Sequence, residues 1–152
     1  MKNIIKKFAV FFLLIGLFSF TSPVQETNYS LTINVENLRN SKGVVQFALY
    51  NRDGSIPDEK YKRYFRKGIA QISNEKSTLT FNNLPPGKYA ISILHDENEN
   101  GKIDKKFLLP IPNEGVGISN YQSIGLSNRP NFSKASFLVD SSMTMEVKII
   151  YM

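Results

Sequence analysis

The run Lys88-Tyr89-Ala90-Ile91-Ser92-Ile93-Leu94, continued by His95-Asp96-Glu97-Asn98-Glu99-Asn100-Gly101-Lys102-Ile103-Asp104, decides how this chain is read. Tyr89, Ile91 and Ile93 fall on one face of a strand, because side chains in β structure alternate with a period of two. The strand then delivers the chain into a loop crowded with carboxylates, carboxamides and one glycine. A strand packed on a core, followed by a polar turn, is the unit that the rest of the chain repeats.

Upstream, Leu31, Ile33 and Val35 alternate with Thr32, Asn34 and Glu36, and Val45, Phe47 and Leu49 alternate with Gln46, Ala48 and Tyr50. Asn40-Ser41-Lys42-Gly43 lies between them as a turn, so the two runs read as a hairpin. Ile69 to Ser73 and Ser77 to Phe81 are two further strands around Asn74-Glu75-Lys76. Downstream, Phe107 to Ile111 reads as a short strand. Ser133 to Val139 and Met143 to Tyr151 read as the last two, joined by Asp140-Ser141-Ser142. Asn113 to Asn131 is rich in Gly, Ser and Asn without a clear period, and reads as a long loop, functional or mobile.

One segment carries a helical pattern. Pro57 suits the first position of a helix, with Asp58 and Glu59 in its first turn. Tyr61, Tyr64 and Phe65 would share a face, and Lys60, Lys62, Arg63, Arg66 and Lys67 the rest. The expected architecture is all-β: an antiparallel Ig-like or prealbumin-like sandwich of about seven strands, with one short helix after the second.

The chain of 152 residues is one domain in size. Lys2, Lys6 and Lys7 precede an apolar run from Phe8 to Phe20, then Thr21-Ser22-Pro23, the pattern of a secretory signal too short to span a bilayer stably. Ser19 and Thr21 suit a cut after Thr21. The reading is a signal peptide at 1–21, a linker at 22–28 and one sandwich domain at 29–152, exported to the periplasm or secreted. An uncleaved anchor is the alternative. The signal holds three of the 19 basic residues and no acids, leaving 16 basic against 13 acidic residues, a formal +3. Export argues against nucleic acid as a partner and leaves a cell-envelope or extracellular protein or glycan; the mild positive balance is compatible with an anionic envelope surface without arguing for one. There is no cysteine, so neither a disulfide framework nor thiolate chemistry is available.

Asp96, Asn98 and Asn100 stand at positions one, three and five of a cation loop, with Gly101 at the turning sixth. Lys102 offers a backbone carbonyl at the seventh and Asp104 a carboxylate at the ninth. Oxygen donors select Ca²⁺ over softer metals. The twelfth position, Phe107, lacks the bidentate Glu of such loops, so Glu114 or a backbone carbonyl from elsewhere would have to replace it. Binding is expected to be weak, on the order of 10⁻⁴–10⁻³ M. A metal-free, hydrogen-bonded turn is the competing reading.

Two other functions compete with a monomeric, non-catalytic calcium-binding protein. A small hydrolase would use His95 with Asp96 and Glu114, but neighbours in a strand face opposite ways, and the single His rules out multi-histidine zinc sites. His95 is read instead as hydrogen-bonding locally where the loop begins. No nucleophile elbow, phosphate loop or dinucleotide fingerprint is present. A carbohydrate-binding module would stack sugars on Tyr50, Tyr61, Tyr64, Phe65 and Tyr121.

Leu84-Pro85-Pro86-Gly87-Lys88-Tyr89-Ala90-Ile91, the His95–Asp104 loop, and Pro112-Asn113-Glu114-Gly115-Val116-Gly117-Ile118-Ser119-Asn120 with Pro130, Phe132, Ala135 and Phe137 occur in that order. This combination resembles the bacterial domain of unknown function 2141 family, from about Leu31 to the C-terminus. The resemblance implies an exported single-domain sandwich and no specific activity. The Leu-Pro-Pro-Gly-Lys-Tyr turn is also similar to that of prealbumin-like and collagen-binding B-type modules. Val116 and Ile118 stand where relatives are expected to carry aromatic rings.

Overall fold

In the computed structural model, which describes residues 27–106, 111–125 and 127–152, alternating side chains become strands where at least one face finds cover. The strands are β1 (Tyr29–Val35), β2 (Val44–Tyr50), β3 (Arg66–Gln71), β4 (Ser77–Leu84), β5 (Gly87–Asp96), β6 (Gly115–Ile118), β7 (Phe137–Val139) and β8 (Met143–Glu146). One helical turn, α1 (Phe132–Ala135), precedes β7. One sheet has the order β4-β1-β8; the other has the order β3-β2-β5-β6, with β7 also paired to β5. The fold is an all-β sandwich.

Leu31, Ile33 and Val35 meet Val45, Phe47, Leu49, Tyr89, Ile91 and Ile93 between the sheets, where Phe81, Val139, Val147 and Ile149 complete the core. Burying each such side chain stabilises by roughly 1.5–3 kcal/mol, which is why the period-two pattern fixes the register. The second sheet is covered on its outer face too. Ala48, Tyr50, Ala90, Leu94, Val116 and Ile118 pack there against Ile56, Tyr61, Tyr121, Phe132 and Ala135. This second core explains β2, all seven residues of which are buried.

Several expectations need correction. β1 and β2 are not a hairpin: they lie in different sheets, and the chain crosses between them. Leu38 anchors that crossing in the core, and its N–H donates to the Glu75 carbonyl at 3.1 Å. The sandwich is not wholly antiparallel, because β1 pairs parallel with β8. The predicted strand from Ser133 is a helical turn in its first half, capped by the Asn131 side chain accepting from the Lys134 N–H. The last strand ends at Glu146, after which 147–151 lies against β6 through a Val116–Ile150 bridge.

The helix expected after β2 does not form. Residues 51–65 instead run as successive turns across the outer face. Two of the backbone carbonyls there, of Gly54 and Pro57, accept from the Arg63 guanidinium. Asp58, expected in a first helical turn, accepts from the Arg63 N–H at 2.7 Å and the Tyr50 hydroxyl at 3.3 Å. Tyr61 adopts φ +48° to bury its ring. Left-handed backbone costs about 1–3 kcal/mol. Ring burial, together with the Tyr61 N–H bond to the Asp58 carbonyl at 3.0 Å, offsets it.

The long Asn113–Asn131 loop is likewise partly regular. Gly115-Val116-Gly117-Ile118 is β6, fully buried, its glycines facing Ile149 and Tyr151 too closely for any side chain. The signal peptide at 1–21, most of the linker at 22–28 and most of the strand expected at Phe107–Ile111 lie outside the described residues. Among the described residues no helix is long and apolar enough to cross a membrane.

Candidate functional site

β5 ends at Asp96, and the alternation of the strand sorts the first two site residues onto opposite faces. His95 points into the sandwich with Ile91 and Ile93; Asp96 follows Leu94 to the outer face. His95 Nε2 lies 3.0 Å from the Lys42 carbonyl, which can only accept, so Nε2 carries the proton. Nδ1 then accepts from the Tyr151 hydroxyl at 2.7 Å, while the Tyr151 oxygen accepts from the Arg39 N–H at 3.1 Å. The local bonding expected of His95 is therefore corrected: its partners come from the β1–β2 crossing and the C-terminal segment. The ring is wholly buried.

Asp96 frames the loop. One carboxylate oxygen accepts from the Asn100 N–H at 3.1 Å; the other accepts from the Gly101 N–H at 2.8 Å and from Gln46 Nε2 at 2.5 Å. Asn98 Oδ1 accepts from the Asn100 N–H at 3.2 Å, and Asn100 Oδ1 from the Lys102 N–H at 3.0 Å. Gly101 takes φ +79° at the sharp turn, where a side chain would be strained. Asp104 Oδ2 accepts from both Asn98 Nδ2 and Asn100 Nδ2, each at 2.7 Å.

Glu114 reaches this loop from just before β6. Its two oxygens accept from the Glu97 N–H at 3.0 Å and the Asp104 N–H at 3.4 Å. The chain before and after residues 107–110 is paired: the Asn113 N–H donates to the Asp104 carbonyl at 2.8 Å, and the Lys106 N–H to the Ile111 carbonyl at 2.9 Å. Asp96, Asn98, Asn100, Lys102, Asp104 and Glu114 thus share one loop cluster. Among the described residues, no three His, Asp or Glu side chains converge closely enough to constitute a preformed metal centre.

Sequence reading passed over Gln46. It is the one polar residue facing outward between apolar neighbours on β2, with Ala48 and Tyr50 beyond it on the same face. A lone carboxamide on an otherwise apolar face is the signal that could have marked it.

The electrostatics separate two glutamates. Burial raises the Glu114 carboxyl above its ordinary 4.5, against its two backbone hydrogen bonds and with help from the charges of Asp96 and Asp104. The Arg39 guanidinium, 2.5 Å from Glu97, holds that carboxyl below 4.5. A raised folded value means that the stability from Glu114 is fully present below 4.5 and is lost as pH rises through the folded value. The Glu97 contribution is present above 4.5 and lost as pH falls through its lowered value. In EDTA, urea midpoints from about pH 3 to about pH 7 should therefore fall off on both sides. Glu114→Gln should remove the decline on the alkaline side alone; a decline that persists in this variant would contradict the assignment.

The aromatic row expected of a sugar-binding module is broken up. Tyr50, Tyr61 and Tyr121 are buried in the outer core, with burial pushing the Tyr50 and Tyr61 hydroxyls well above their ordinary range. Tyr64 and Phe65 remain exposed, and the Phe65 ring tilts 44° against Tyr89. Val116 and Ile118 are buried in that same core.

A family model described as "Uncharacterized protein conserved in bacteria (DUF2141)" matches residues 33–147. The chain belongs to this family. The match begins inside β1 and ends just past β8, so the DUF2141 unit takes in both sheets and the whole Asp96–Glu114 cluster. No curated protein and no solved structure matches the chain.

Proposed function

We propose that this DUF2141 protein is an exported, monomeric, non-catalytic sandwich whose 96–104 loop binds calcium weakly and presents an ordered surface to a cell-envelope or extracellular partner. The observation that carries the reading is the position of Glu114. The loop supplies oxygens at positions one, three, five, seven and nine but none at the twelfth. Glu114 brings both carboxylate oxygens to the same cluster, through hydrogen bonds to the second and ninth loop residues. The charges of Asp96 and Asp104 act on the buried Glu114 carboxyl, and a divalent cation drawing the three carboxylates together would relieve that repulsion. Calcium would replace the Asn98 and Asn100 amide donors now on Asp104, with each carboxamide turning its oxygen inward. The basic head and apolar run of residues 2–20 support export.

A thermal melt in EDTA and then in calcium, with magnesium as control, tests this. At a dissociation constant of about 0.1 mM, about 1 mM calcium should add roughly 1.4 kcal/mol. That corresponds to a rise of about 4 °C. No shift up to about 10 mM calcium would leave the loop as a turn held by its own hydrogen bonds.

A further inference from the structure

We infer that Gln46 is a ligand of the same cation, supplied across the sheet by β2 through its side-chain oxygen; this rests on the calcium reading above. Gln46 is 1% exposed, yet its Oε1 has no hydrogen-bond partner among the described residues. Buried side-chain oxygens are rarely left so, and each exception calls for a reason. The other end of the carboxamide fixes where that oxygen can act. Nε2 lies 2.5 Å from Asp96 Oδ2, and a Cβ built on Gly101 would stand 4.0 Å from Nε2. The group therefore abuts the first and sixth positions of the loop. Its register on β2, beside Leu94 and two residues from the Val44–Asp96 pair, holds it there.

Without a cation, the Nε2 donor faces Asp96 and partly neutralises it. A half-turn of the carboxamide exchanges its two ends and sets Oε1 beside the carboxylate. Two acceptors in that position repel unless a cation lies between them. Calcium accepts six to eight oxygens, including glutamine carbonyls, and the loop with Glu114 leaves room for one more. Gln46 would then act as a switch: donor to Asp96 in the free protein, ligand in the loaded one.

Calcium titration of the purified protein by calorimetry, with terbium luminescence lifetimes in H₂O and D₂O to count bound waters, tests this. Gln46→Leu should weaken calcium about tenfold and add about one water to bound terbium. Gln46→Glu, with an added ligand charge, should tighten calcium while lowering the melting temperature in EDTA, since it removes the donor to Asp96. Wild-type affinity and water count in both variants would overturn the role of Gln46 and leave the loop reading standing. Should Gln46→Leu fail to fold, unchanged or weaker affinity in Gln46→Glu overturns it alone. A wild-type protein that takes up no calcium overturns both.

Discussion

Gly43→Ala is expected to lower the unfolding free energy by about 3–5 kcal/mol, a size reached only by strain or lost core packing. Gly43 has φ +68°, where an alanine costs about 1–2 kcal/mol by itself. The larger contribution is steric. A Cβ at this position would stand 2.0 Å from the Asp96 carbonyl oxygen, 2.7 Å from the Glu97 Cα and 2.8 Å from its carbonyl carbon. All three atoms are backbone, so no side chain can swing away. Either β2 must leave β5 next to the Val44–Asp96 pair, or the first residue of the 96–104 loop must move. Gly54→Ala is the control: its φ is +71°, but nothing lies within 4 Å of the added methyl. It should lose only about 1 kcal/mol. Urea midpoints of the two variants isolate the clash, and equal losses would show that the close approach is not enforced.

Asp96→Ala should cost about 3–5 kcal/mol and abolish the calcium-dependent rise in melting temperature proposed above. The buried carboxylate accepts from Gln46 Nε2 and the N–H groups of Asn100 and Gly101. Hydrogen bonds to a charged acceptor contribute roughly 1.5–3 kcal/mol each, and their losses are not fully additive. Truncation strips the buried Gln46 of its one side-chain partner among the described residues and frees the sixth residue to leave its turn. Asp96→Asn should fall between, about 2 kcal/mol down, because its amide presents a donor to at least one of those three donors. Glu99→Ala, at an exposed position in the same loop, should stay within about 0.5 kcal/mol of wild type. Denaturation of each, with and without calcium, checks the set. An Asp96→Ala protein as stable as its parent would mean that this carboxylate does not hold the loop.

The strands facing the core were legible because each has one purely apolar face: Leu31-Ile33-Val35, Val45-Phe47-Leu49 and Tyr89-Ile91-Ile93 declare themselves by spacing. What spacing does not carry is the partner of each strand. β1 and β2 are adjacent in sequence and look like a hairpin, yet Leu38 draws their connection through the core and sends them to different sheets. β6 was hidden because two of its four residues are glycines, chosen for the closeness of Ile149 and Tyr151 rather than for strand propensity. The segment at 51–65 carried a true local helix signal that lost to a tertiary demand, the burial of Ile56 and Tyr61 over the second sheet.

The site divides along similar lines. Asp96, Asn98, Asn100, Lys102 and Asp104 stand at alternate positions of one loop, so their sequence spacing is enough to group them. Glu114 could be nominated from the missing twelfth ligand, and folding does bring it to the loop. Gln46 is 50 residues away from Asp96 and is joined to it only by β2–β5 pairing. His95 draws its partners from Lys42 and Tyr151, contacts that no local pattern encodes.

The parallel pairing of β1 with β8 also governs when this protein can fold. Leu31 lies beside Met143 and Asn34 beside Glu146, so the first strand depends on one that emerges from the ribosome more than a hundred residues later. Long-range pairings of this kind close large loops before any contact rewards them, and they place a chain among the slower folders, on the order of milliseconds to seconds. No nascent fragment ending before 143 can complete the β4-β1-β8 sheet or bury Leu31 and Ile33 as the finished chain does. The chain thus stays incompletely structured until synthesis has passed residue 143, and its first strand waits exposed for a partner made last in this sheet.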